Sequence, residues 1–465
     1  MHFMNPFEFV PLPESGPKEL PPELYEGPRL EGFLSYSIKA LTPLHITGST
    51  ASASSGSFER KEFYENYGTR VIPGASVRGM LSAFIEALTG SDLRVFTRGY
   101  EVGKSGIPAY GKHYKNRHTG FLMAAGDDKD KRITAARNNK KIYKYSETLP
   151  KGFGRHLKTD AARFLFGYVD EESGEEQGAG AGRLSFEDLL IPPEIKMKTC
   201  YAWDLKGRAI MGGPNPRANT AWYFTPAPGK IHSRKVRGKI LWEVPADKVR
   251  GRKFYFHQEP ENCHEEYRRW RQWMELEKYD VESLAPGEEI TGGRIYFSDL
   301  PEAMLNLLVF SLVLEKGMVH KLGALKPFGF GSVQLIPDGL LCRDMKNPLA
   351  PLKEPEQLKF KVNPVLFDGQ ARRFLERIMY FPRTVQENRD RVFVYPPFRT
   401  NEKTDGEKAG FAMLPEIKAE KKGIKHPEPG DIKKITLFFD HYQTTAVNFE
   451  QVMGGKDYSH LRVES

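Results

Sequence analysis

Residues 288–337 read EEITGGRIYFSDLPEAMLNLLVFSLVLEKGMVHKLGALKPFGFGSVQLIP, and this stretch decides the fold. EEITGGRIYFSD alternates polar and apolar residues, the pattern of a half-buried strand. LPEAMLNLLVFSLVLEKG is apolar nearly throughout and long enough for a buried helix. GALKPFGFGSVQLIP is a glycine turn that runs into another strand. The order is β–α–β with a short glycine hinge.

A second unit of the same kind lies upstream. EGFLSYSIKALTPLHIT (31–47) alternates like a strand. VIPGASVRGMLSAFIEALTG follows, with a turn at Pro73-Gly74, a cap at Ser76 and Met80, Leu81, Phe84, Ile85 and Leu88 at helical spacing. Gly90 is its stop. GRLSFEDLLI (182–191) reads as the returning strand. Two such halves, 31–98 with 183–190 and 288–337, predict an α+β fold: one ferredoxin-like (RRM-like) sheet with helices on one face.

The remaining segments are too long for a minimal domain. Residues 1–30 form a proline-rich N-terminal arm, too rich in proline for a helix or a central strand. Long basic insertions are expected at about 91–158 and, as a thumb-like hairpin, at about 194–256. Thr159 to Tyr168 is a short helix, 261–285 a polar helix with a Trp/Tyr face. Residues 338–465 are a mixed C-terminal extension with strand candidates at LKFKVNPVLF, RVFVYPPF and KKITLFFD and a helix candidate at ARRFLERIMYF.

Charge follows the same division. The chain of 465 residues carries +9 overall. Residues 101–160 hold 14 Lys/Arg against 6 Asp/Glu, and residues 196–256 hold 14 against 3, so the rest of the chain is acidic. Positive charge concentrated in two segments, with aromatic residues among it, is the footprint of a polyanion partner, most often nucleic acid; solvated basic loops without a ligand are the alternative. Three cysteines without a CxxC pair rule out a disulfide framework and point to a reducing, cytoplasmic setting. No run of 18 apolar residues exists, so no membrane partner is expected. His257, Cys263 and His264 are close together, but no second pair completes a zinc spacing, so no metal ligands are assigned. GxxxxGK[ST] is absent, which excludes a Walker phosphate loop.

Four landmarks stand in order: TPLHITGSTASASSGSFERKEF, VIPGASVRGML, LFG with GAGRLSFED, and KLGALKPFGFGSV. Together they resemble the RAMP (repeat-associated mysterious protein) superfamily of CRISPR ribonucleoproteins over about residues 31–337. The likeness is to the backbone-type subunits of type III effector complexes. The resemblance implies a guide (CRISPR) RNA-binding subunit that shapes the guide–target RNA duplex in antiviral defence. Its partners would be guide RNA, target single-stranded RNA and other subunits of the complex. A metal-dependent endoribonuclease of the same superfamily, cleaving target RNA or processing guide RNA, is the alternative. An unrelated RNA-binding protein of ferredoxin-like fold is a third reading. Phe33 and Tyr36 on the first strand would suit it, but an RNP1 motif is missing.

Site residues follow from both sources. Gly323, Gly329 and Gly331 let the backbone approach a phosphate and Lys326 adds charge, though the same glycines suit a tight turn. Ser76 and Arg78 lie in the first turn of a helix, where anions are attracted, or Arg78 makes a surface ion pair. By resemblance His45 ends the first strand on the RNA-facing surface. By position the 194–256 excursion matches the family's thumb, which kinks the duplex. There Arg208, Arg217, Arg234, Lys235 and Arg237 would hold phosphates, while Trp203, Trp222 and Tyr223 stack on bases or wedge between them. The two tryptophans alternatively pack the thumb's own core. Active relatives carry an aspartate in the loop after the first strand. Here the place reads GSFERKEF and the nearest acid is Glu59, one methylene longer, which puts an enzymatic role in question. RNA binding needs no cofactor; nuclease activity would require Mg²⁺ or another divalent metal.

Overall fold

The computed structural model describes residues 2–48 (except 5 and 25), 61–93, 150, 153, 159–169, 179–205, 250–258, 276–355 and 362–381, with short strands at 113–116, 121–124, 224–226, 232–236, 239–243, 246–249, 391–393 and 447–448. In chain order the elements used below are β1 (Phe7–Val10), β2 (Leu30–Ala40), β3 (Glu65–Asn66), β4 (Thr69–Ile72), α1 (Gly74–Leu88), α2 (Ala161–Phe166), β5 (Leu184–Phe186), β6 (Leu189–Leu190) and β7 (Met197–Leu205). They continue with β8 (Arg252–Tyr255), β9 (Leu276–Leu284), β10 (Glu289–Leu300), α3 (Glu302–Val313), β11 (His320–Lys321), β12 (Ser332–Asp344) and α4 (Gly369–Met379).

The central sheet has five strands in the order β5-β10-β2-β12-β11. Every neighbouring pair is antiparallel. Inward positions are apolar: Leu34, Tyr36 and Ile38 on β2, Ile290, Ile295 and Phe297 on β10, Val333 and Leu335 on β12. They meet α1 through Leu81, Phe84 and Ile85 and α3 through Met304, Leu305, Leu308 and Leu312. Truncating one such Leu to Ala typically costs about 2–5 kcal/mol. Both helices share one buried cluster with the sheet. α3 is apolar around most of its circumference because it sits between the sheet and α4's surroundings: Phe310 on it packs against Phe367 at a ring separation of 5.3 Å.

Several expectations are corrected. GRLSFEDLLI is two short strands in different sheets: β5 pairs with β10, and β6 pairs with β4. The break at Glu187–Asp188 frees the Asp188 carboxylate to accept the Gly74 N–H at 2.7 Å. That bond, with Pro73 in the N-cap position, starts α1; Ser76 makes no side-chain cap bond. The polar helix expected at 261–285 is absent from its described part, because 276–284 is β9, paired antiparallel with β7 from Met197↔Leu284 to Leu205↔Leu276. The basic excursion therefore stands on a two-stranded stem that closes at 284, beyond 256. Within its span Arg252–Tyr255 returns as β8 to pair with β1 in the N-terminal arm. Val10, Leu20 and Leu24 of that arm are in the core. So are Leu366, Ala371, Leu375 and Ile378 near α4, and β12 itself runs past 337 to Asp344. The helix expected at ARRFLERIMYF is α4, and RVFVYPPF begins with a strand at Arg391–Phe393. LKFKVNPVLF instead closes in a 3₁₀ turn at Pro364–Leu366, and KKITLFFD lies outside the described residues.

Two ion pairs fix the β1–β8 ribbon. Arg252 on β8 and Glu86 on α1 form an ion pair at 3.0 Å with both side chains 0% exposed, and Arg252 also donates to the Ser91 carbonyl. Glu8 on β1 is buried and paired with Arg377 of α4. Burial outweighs that guanidinium and pushes the Glu8 carboxyl up to about 7. A carboxyl raised in the fold keeps its proton where the unfolded chain has lost it. Glu8 therefore costs stability as pH rises from about 4.5 to about 7, on the order of 3 kcal/mol in full. Denaturant titrations across that window should show Glu8→Gln losing this decline, with wild type and variant diverging upward of pH 5. Parallel curves would mean Glu8 is ionised in the native state.

Candidate RNA-binding site

Two of the four landmarks, nearly 280 residues apart in sequence, are bonded to each other at one end of the sheet. Thr42 Oγ1 donates to the Gly329 carbonyl at 2.8 Å and accepts the Ser332 N–H at 2.9 Å. Gly331 N–H donates to the Pro43 carbonyl and Ala324 N–H to the His45 carbonyl. Glycine is required at two of these positions by close approach and by backbone conformation. Gly323 and Gly331 have φ +80° and +78°, and a Cβ would overlap the His45 carbonyl at the first and the Leu322 carbonyl at the second.

This geometry corrects the reading of the loop as a row of open phosphate donors. Gly331 N–H is spent on Pro43 and Gly329 N–H on the Lys326 carbonyl. What the loop presents is ammonium. Lys326 opens a 3₁₀ turn (Lys326–Phe328) and is half-buried. Lys321, which the motif reading passed over, is also half-buried and donates to the Phe330 carbonyl at 2.9 Å. Burial lowers the pKa of both. Lys321 falls well below 10.5, with the charge of Lys326 adding to the effect. Neither forms an ion pair with a carboxylate among the described residues. Partly dehydrated ammonium groups that no described carboxylate pairs with are stabilised by an anion.

His45 is not on the surface. It is fully buried, donates from Nδ1 to the Glu282 carbonyl at 2.8 Å, and stands edge-on to Phe63 with ring centroids 6.2 Å apart. Burial lowers its pKa, so the neutral ring is favoured. Its role in the structure is to fix the end of the first strand to β9. Tyr36 is likewise buried and cannot offer a stacking face. Arg78 donates to the Phe166 carbonyl at 2.6 Å, which ties α1 to the end of α2 in place of a surface ion pair; Ser76 is half-buried beside it. His257 is buried between Ser332 Oγ and the Val319 carbonyl.

The stem of the excursion holds the residues on either side of the segment that contains Glu59. Leu44 bridges to Leu284, Thr47 to Phe63, and Lys61 to Val281. Glu282 of β9 accepts the Phe63 N–H at 3.1 Å and Arg70 Nη2 at 2.9 Å. Both feet of the 48–60 segment thus stand at the base of β7–β9. Glu59, Arg208, Arg217, Arg237, Trp222 and Tyr223 lie outside the described residues, as do Cys263 and His264. Arg234 and Lys235 lie on a strand, His232–Val236, paired with Lys239–Glu243, and Trp203 is on β7 opposite Lys278. Among the described residues no three His, Cys, Asp or Glu are grouped to hold a metal. Among them, too, no helix is long and apolar enough to cross a membrane.

The sequence profile of the RAMP superfamily matches residues 37–334, which is well over half of the chain. The chain belongs to that superfamily, which gives it a CRISPR-associated, RNA-binding character. A comparison with curated proteins finds no match.

The Glu282 contacts make a direct prediction. Glu282→Ala leaves the buried Phe63 N–H without its acceptor, a cost of about 1–3 kcal/mol. Amide exchange at residues 61–64 should speed up roughly 5- to 100-fold, while the α3 and β10 amides stay protected. Unchanged exchange at 61–64 would show that the segment is held by other contacts.

Proposed function

We propose that this chain is a guide-RNA-binding backbone subunit of a type III CRISPR ribonucleoprotein. It holds guide RNA and shapes the guide–target duplex in antiviral defence, alongside other subunits and in the cytoplasm. The observation that carries the reading is the Thr42–Ile46 segment locked to the glycine loop, with Lys321 and Lys326 beside it and no described carboxylate paired with either. A phosphate satisfies that charge, and a guide bound by its backbone leaves its bases free to pair. The fold is read as ferredoxin-like with one added edge strand. Counted in chain order, β2, β5, β10 and β12 lie side by side as 4-1-3-2, which supports that reading. The β7–β9 stem supports a thumb, on which Arg208, Arg217, Arg234, Lys235 and Arg237 would meet phosphates and Trp203, Trp222 and Tyr223 would meet bases.

A second reading is favoured by one observation: the segment bearing Glu59 is footed at the base of that stem, next to where a displaced target nucleotide would lie. In that reading the chain is an endoribonuclease that cuts target RNA, with Mg²⁺ or another divalent metal supplying the Lewis acid.

Filter-binding titrations of single-stranded RNA at several salt concentrations test the first reading. Lys321→Met with Lys326→Met should weaken binding and reduce the salt slope by about 0.7 for each phosphate no longer neutralised. Wild-type affinity should also fall as pH is raised toward 10.5, earlier than for ordinary lysines, because both groups deprotonate below that value. An unchanged slope would remove the loop from the RNA path. The second reading is tested by incubating the assembled complex with labelled target RNA and Mg²⁺. Cuts that vanish in Glu59→Ala place cleavage in this chain, and a pattern indifferent to the substitution places it in another subunit.

A further inference from the structure

The face of the central sheet turned away from the helices has its own chemistry. On β10, Arg294, Tyr296 and Ser298 point away from the core while Ile295 and Phe297 enter it. Register sets Tyr296 directly opposite Phe33 on β2, and Phe33 opposite Leu341 on β12. Ser185 on β5 completes the row. The Tyr296 and Phe33 ring centroids are 5.8 Å apart, and the Arg294 guanidinium carbon is 5.6 Å from the Phe33 centroid. Tyr296 is 37% exposed. Its hydroxyl donates to Glu187 Oε1 at 2.7 Å, which fixes the direction of the ring. The adjoining row has Arg294 opposite Ser35 on the β10 side and is low on the β12 side. Ser35 faces Gly339, and a Cβ at Gly339 would meet no atom within 4 Å.

We propose that this row is a binding site for one nucleobase of single-stranded RNA, stacked on Tyr296 with Phe33 at its side and flanked by Arg294 and Glu187. The proposal rests on the RNA-binding reading above but concerns a different surface from the Lys321–Lys326 loop. Tyr296, with Phe33 inclined at 52° beside it, offers a π-face that every base can match, and an arginine adds stacking and cation–π attraction. The open floor over Ser35 and Gly339 leaves room for the edge of a base. Glu187 decides between base and phosphate: a carboxylate at the rim repels phosphate but accepts from an exocyclic amino group. The surroundings also argue against a protein occupant. Arg294 and Glu187 flank the rings and Asp338, held by Ser37 Oγ at 2.7 Å, lies beyond Ser35, whereas the centre of a protein interface is depleted of charge.

An aromatic pair across two strands also stabilises the sheet, so the test separates the two effects. The probe is a single-stranded RNA oligonucleotide carrying 2-aminopurine, titrated against the full chain, with melting temperature measured in parallel. Tyr296→Phe keeps the ring and should bind within about twofold of wild type. Tyr296→Leu keeps apolar area but loses the π-face, and should weaken binding by roughly tenfold. It should also abolish quenching of the 2-aminopurine. The loss should be equal at low and high salt, unlike that of the lysine variants. Tight RNA binding with quenching unchanged in Tyr296→Leu overturns the base site and leaves the RNA-binding reading standing. So does a loss confined to melting temperature, or to assembly with other subunits. Failure of wild type to bind the RNA at low salt overturns both.

Discussion

The close packing of two backbone segments at one end of the sheet is the constraint on which the rest of the structure depends. Between Thr42 and Ile46 the chain leaves β2, and between Gly323 and Ser332 it enters β12. These two adjacent strands carry the longest ladder among the described residues, from Val333↔Ala40 to Asp344↔Leu30. Their ends approach so closely that no side chain fits at Gly323 or Gly331. The lysine loop and the stem are both hung from that junction. His45 reaches from it to β9, β9 closes the stem of the basic excursion, and Glu282 on β9 pins the segment that carries Glu59. The lysines stand on the same loop. A shift in the junction would move the cationic site, the stem and the loop together.

The β–α–β core was legible in the sequence because burial imposes a period. β2, β10 and β12 alternate and α1 and α3 repeat apolar residues at helical spacing, since each must face one shared core. Elements whose partners are distant were not legible. LEKYDVESL in β9 is polar enough to pass for a helix surface, and only its pairing with β7 makes it a strand. LSFEDLL reads as one strand, yet Asp188 must leave the sheet to cap α1, and the chain changes sheets around it. The N-terminal arm reads as detached because proline disfavours sheet interiors. β1 contains no proline and finds an edge partner in β8, so the prolines fall on either side of a buried ribbon.

The candidate site divides along the same line. The glycines of KLGALKPFGFGSV are visible as a motif, but their role turns on partners 280 residues away: the amides that a phosphate would need are bound to Pro43 and Lys326. The charge that remains comes from Lys321 and Lys326, of which only the second lies between the glycines. A lysine's function is not written in its neighbours in sequence. It depends on burial and on which carboxylates stand around it in space. His45 is the opposite case. A histidine at the end of a strand suggests a ligand contact, yet here Nδ1 is satisfied by a carbonyl and the ring is enclosed.

The two faces of the sheet explain why a fold of this kind suits a polyanion with readable bases. One face must be covered by α1 and α3, because its strands bury Leu34, Ile38, Ile295 and Leu335. The other face has no such obligation, and its side chains are free to be chosen for a ligand. At the end of the sheet the backbone turns sharply and leaves cations half-dehydrated, which favours phosphate. Across the open face, strands about 4.8 Å apart set Tyr296 beside Phe33 at a spacing that suits aromatic contact. Charge at the edge and flat rings on the face are different chemistries. A nucleic acid strand presents both kinds of group within one nucleotide, and few other ligands do.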